Sequence, residues 1–77
     1  MKKLSLVQMK TGQKGTVAGI EGGHAFVHRL SSMGIHLGRE VTKVSQFVLR
    51  GPVAIKVGRG IVALGYGMAH KVIIEIE

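Results

Sequence analysis

Apolar residues recur along this chain at two different periods, and the switch between them organises it. In the stretch from Gly22 to Gly38, Phe26, Val27, Leu30 and Met33 follow one another at the helical spacing, which places them on one face of a helix. Gly34 stands where such a helix needs a left-handed C-terminal cap, since glycine takes positive φ without a Cβ clash. Ile35 follows as the apolar residue that folds back on the last turn, and Leu37-Gly38 makes a second sharp turn.

On either side the pattern is that of short strands. Leu4-Ser5-Leu6-Val7 is an apolar entry that makes an edge contact, and Lys10 to Gly15 is a turn. Thr16 to Glu21 is the first strand expected. Arg39 to Leu49 is a long run rich in branched residues whose apolar positions do not alternate cleanly, which predicts a bulge partway along. Arg50-Gly51-Pro52 ends that run, because proline lacks a donor and suits the beginning of a strand. Val53, Ile55 and Val57 then share one face; Gly58-Arg59-Gly60 is a hairpin loop, and Ile61 to Leu64 returns. Gly65 to His70 is a loop or a single helical turn, and Val72 to Glu77 closes the chain with Val72, Ile74 and Ile76 inward. The prediction is a mainly β protein, a small, partly open barrel of about five strands with an α-helix inserted after the first.

With 77 residues, the expectation is one domain over 1–77. A domain this small buries roughly 60% of its unfolded surface, so each large apolar residue counts. The absence of cysteine removes disulfides and thiolate metal sites from consideration. Met1 to Lys10 opens like a signal peptide, but its apolar run fails within a few residues, and no later run reaches the length of a membrane span; a cytosolic protein is expected. The net charge of +7 favours an acidic protein, RNA or an anionic membrane face as partner. Its eleven cations, from Lys2 through Lys14, Lys43 and Lys56 to Lys71, are scattered without a run, so a plain solvated surface and a partner surface are equally open readings.

Candidate chemistry is sparse. His24 and His28, four apart on the helix, could share a transition metal held weakly, with His36 and His70 as possible additions. No cysteine or aspartate exists to complete the set, and Glu21 is the only nearby carboxylate, so no cofactor is required. Ser31 and Ser32 have no acid to orient a base, and Glu75 and Glu77 alternate on a terminal strand, expected in solvent. The glycine loops lack the lysine of a phosphate loop and the dinucleotide spacing, although an anion could sit at the helix N-terminus after Gly19 to Gly23. The chain is therefore not expected to be an enzyme. Single-strand RNA binders stack bases on aromatic rings along a basic groove. Phe26, Phe47 and Tyr66 are the only aromatics, two of them in apolar-patterned segments, so RNA binding is the alternative and not the first reading.

The pattern Arg29-Leu30-x-x-Met33-Gly34-Ile35-x-x-Gly38, then Gly51-Pro52-Val53-x-x-x-Val57, then Ile61-x-x-Leu64 and Ala69 resembles the FeoA family from about Leu4 to Ile76. The resemblance implies an SH3-like barrel with helical insertions. It further implies a small cytosolic accessory protein of ferrous iron uptake, at most associated with the inner face of the cell membrane. Its implied partner is the membrane ferrous iron transporter FeoB, which carries a cytosolic GTPase domain. The same domain type occurs in metal-dependent repressors behind a helix-turn-helix domain. This sequence has no residues for one, so DNA is not an expected partner, and a metal-responsive regulatory module is a further alternative. The matched positions Leu30, Gly34, Ile35, Gly38, Gly51, Pro52, Leu64 and Ala69 are structural in kind: turns, a strand break and core. Partner contacts are expected at Arg29, His36, Arg50 and Arg59, with Met33 or Met68 as apolar anchors, and self-association is an option. Recognition of proline-rich peptides, which needs an aromatic-lined groove, is not expected.

Overall fold

In a computed structural model, residues 2–47 and 50–76 are described; Val48 and Leu49, the expected end of the long β run, and Glu77 lie outside them. The chain runs β1 (Lys2–Ser5), β2 (Lys14–Ile20), α1 (His24–Ser32), β3 (Glu40–Gln46), β4 (Val53–Val57), β5 (Gly60–Leu64), α2 (Tyr66–His70) and β6 (Val72–Ile76). All pairings are antiparallel, in the order β1-β6-β2-β3-β4-β5. The sheet curls as an SH3-like barrel does but is not strictly closed, since β1 and β5 remain its edges.

Two counts differ from expectation. Among the described residues there are six strands, and the helix follows the second. The extra strand is the apolar entry: Leu4 and Ser5 pair with Ile74 and Ile73 of β6, and the amide of Leu6 donates to the Val72 carbonyl at 3.0 Å. Four residues with one lysine pair at the front give too little alternation to be read as a strand; β6 supplies the missing order.

The switch in period survives intact. Leu30 is fully buried, and Phe26 and Met33 pack partly against the same core. Val27, expected on that face, is 37% exposed. A nine-residue helix laid over a curled sheet buries a narrow stripe, and Val27 sits at its rim. The helix ends in a Schellman motif. Gly34 takes φ +87, its amide donates to Ser31 O at 2.9 Å, and that of Ile35 reaches back to Leu30 O at 2.9 Å. The Ile35 side chain is thereby driven into the core beside Leu30.

The uneven run of β3 contains the bulge that its pattern predicts. The register against β4 slips between Lys43 and Ser45, and Val44 points outward. Phe47, beyond the paired end of β3, is exposed. Between β4 and β5, Gly58 at φ +60 makes the two-residue hairpin turn that lets Val57 pair with Gly60. Gly15 is where backbone approach is closest: a Cβ there would lie 2.8 Å from the Glu75 carbonyl oxygen, with Ile74 and Ile76 pressing on it as well. Val17, Val41, Val53, Ile55, Val57, Leu64, Val72 and Ile74 complete the core between sheet and helix, with Ala69 from α2.

Candidate functional site

The connections around α1 and the turn after β3 carry most of the residues in question. Arg29, His36, Arg50 and Arg59 are exposed. They come from α1, the α1–β3 connection, the turn after β3 and the β4–β5 turn. Met33 and Met68, expected as exposed anchors, are half-buried and packed against the core. A flexible thioether fills irregular gaps between a short helix and a sheet better than it projects from them. Arg50, which takes a left-handed φ of 62, lies 5.7 Å from the centroid of Tyr66 in a cation–π contact. Tyr66 in turn stacks on His70 with centroids 6.3 Å apart.

Of the matched motif positions, Leu30, Ile35, Leu64 and Ala69 are buried in the core cluster. Gly34 and Gly38 both take φ +87, and the Gly38 amide donates to Val17 O at 2.9 Å, which ties the turn after α1 to β2. Gly51 and Pro52 precede β4, where the Pro52 carbonyl accepts from the Phe47 amide at 3.2 Å.

His24 and His28 lie exposed on α1. No group of three or more histidine, cysteine, aspartate or glutamate side chains that could hold a metal ion occurs among the described residues. His36 binds locally, its Nδ1 3.1 Å from Leu37 O.

Three features escape the sequence pattern. The first is Lys43, expected among the surface cations but only 2% exposed. Its ammonium donates to the carbonyls of Val7 at 3.0 Å and Met9 at 2.6 Å and to Gln46 Oε1, so each of its three protons has an acceptor. Its backbone accepts from the Gly12 amide and donates to Gln13 O, stitching residues 7–13 to β3. Burial pushes its pKa below the ordinary lysine value of 10.5. The second is an apolar groove between α1 and β2, lined by Ile20, Val27, Ser31, His36 and Leu37, with Leu37 64% exposed. Leu37 lies just past the helix cap, outside the helical series, and that position was its only signal. The third is a basic cleft at the sheet surface, lined by Lys14, Arg39, Thr42 and Lys56 among others.

The FeoA domain family model matches residues 4–76. Among solved structures, an iron uptake regulatory protein, FeoA, is 33% identical with a TM-score of 0.87, covering 97% of each chain. A FeoA-like protein from Clostridium acetobutylicum is 21% identical with a TM-score of 0.84, over 99% of this chain and 88% of that one. The fold also recurs in a manganese-dependent transcriptional repressor, 22% identical with a TM-score of 0.84 over 94% of this chain and 40% of that one. No curated protein sequence matches the chain. A match spanning nearly every residue, together with identity of this order over a whole solved relative, shows that the chain belongs to the FeoA family.

Proposed function

We propose that this protein is a cytosolic accessory factor of ferrous iron uptake that binds the cytosolic GTPase part of the membrane transporter FeoB. It modulates transport or the nucleotide cycle without chemistry of its own. The observation that carries this reading is the family match over residues 4–76, and the similar structure is named as an iron uptake regulatory protein. The surface is consistent with it. A charge of +7 on 77 residues raises the rate of encounter with an acidic partner near an anionic membrane face. Exposed Leu37 and Val27, in the groove beside α1, supply apolar contact of the kind that gives an interface its specificity. They take the place of Met33 and Met68, which the core already occupies. Among the described residues, no helix is long and apolar enough to cross a membrane.

The test is a titration of the full chain with the soluble domain of the transporter, at low and physiological salt. Saturable binding is expected, weakened by Leu37→Asp and by charge reversal at Arg29 and Arg59. Absence of binding under both conditions overturns the reading.

A further inference from the structure

The outer face of the sheet gathers cations by register. Lys14 of β2 pairs with Thr42 of β3, and Thr42 pairs with Lys56 of β4. Side chains in register point to the same face, so two ammonium groups flank one hydroxyl across three strands, on backbones about 10 Å apart. Their inward neighbours Gly15, Val41 and Val57 are buried, which fixes the row outward.

The α1–β3 connection closes this row into a cleft of about 560 Å³, to which it brings His36, Gly38 and Arg39. The Arg39 guanidinium lies against the α-carbon of Gly58, in the space a Cβ would take, so the hairpin glycine provides its seat. His36 also lines the cleft, held at its mouth by Nδ1, which donates to the Leu37 carbonyl at 3.1 Å. Three cations line the cleft against one carboxylate, that of Glu40, whose Oε1 lies 4.0 Å from Lys14 Nζ in an exposed, loose pair. A single carboxylate would be satisfied by the fork of Arg39 alone. Cations on two strands and on the α1–β3 connection, with a hydroxyl between them, match an anion whose charge sits on more than one centre.

We propose that this cleft binds the diphosphate group of a small soluble anion, with Arg39 as the bidentate donor, Lys14 and Lys56 on either side and the Thr42 hydroxyl between them. The site lies on the other side of His36 from the apolar groove and does not depend on any protein partner.

The experiment is a heteronuclear NMR titration of the full chain with pyrophosphate at fixed ionic strength. Saturating shifts are expected at the amides of Gly38, Arg39, Thr42 and Gly58, with weaker binding of orthophosphate. Lys56→Ala, at an exposed position, and Arg39→Lys, which keeps the charge and loses the fork, should each weaken binding at least about tenfold. Glu40→Gln should tighten it. Circular dichroism establishes that each variant is folded. Equal shifts around Lys2, Lys3 and Lys71, unchanged affinity in folded Lys56→Ala, or equal binding of citrate would overturn the proposal. Binding to phosphatidylglycerol vesicles without cleft shifts from pyrophosphate would overturn it too.

Discussion

Lys43 and Lys56 sit in paired strands, one ladder step apart, and have opposite fates. Lys56 faces outward in register with Thr42, whereas Lys43, the next residue, faces inward opposite Ile55. The inner lysine delivers every proton to an acceptor of its own chain and is closed to partners. The outer one belongs to a cleft in which cations outnumber carboxylates. The same residue type in one sheet therefore holds the fold together on one face and remains available for binding on the other. Parity along the strand decides which.

The largest test of this division falls on the inner face. Leu30→Asp should abolish cooperative unfolding in a thermal melt, because a carboxylate would enter the apolar cluster in which Leu30 is fully buried. A melt near that of the parent would show that α1 does not pack inward. Lys43→Ala comes next, at about 3 kcal/mol in denaturant unfolding, since it opens a cavity and orphans the carbonyls of Val7 and Met9. A loss below about 0.5 kcal/mol, typical of surface positions, would erase the distinction between the two lysines. Gly34→Val should cost more than about 1 kcal/mol, as φ +87 resists a branched residue and its Cβ would stand 3.3 Å from Val57 Cγ1. On the outer face, Lys56→Ala should change stability by less than about 0.5 kcal/mol.

The buried lysine should also make stability depend on pH. The folded state holds the Lys43 proton less tightly than the unfolded chain does, so the unfolded chain binds more protons between the lowered pKa and 10.5. The cost of burying the charge is fully present below the folded pKa and is relieved as pH rises through that window. Stability of the parent relative to Lys43→Met should therefore improve on the alkaline side.

The helix, its cap, the bulge of β3 and the inward sets Val53-Ile55-Val57 and Val72-Ile74-Ile76 were legible because each rests on local chemistry. Period, glycine at positive φ and failed alternation are visible without neighbours. β1 was not legible as a strand, since its order comes from β6. Lys43 was misplaced for the same reason. Its acceptors on Val7 and Met9 lie more than thirty residues away, and a lysine in a strand is ordinarily a surface residue. The basic cleft was invisible as a run because its members meet only through cross-strand register. Leu37 shows a converse case: an apolar residue just beyond a helix cap belongs to no periodic set, and the structure leaves it in solvent.

The proposed accessory role is tested most directly by ferrous iron uptake in cells that lack this protein. Uptake should fall on its removal and return with the parent chain, but not with folded Leu37→Asp, whose change lies on the outer surface and leaves the core untouched. Uptake at the normal rate in cells without the protein would contradict the account.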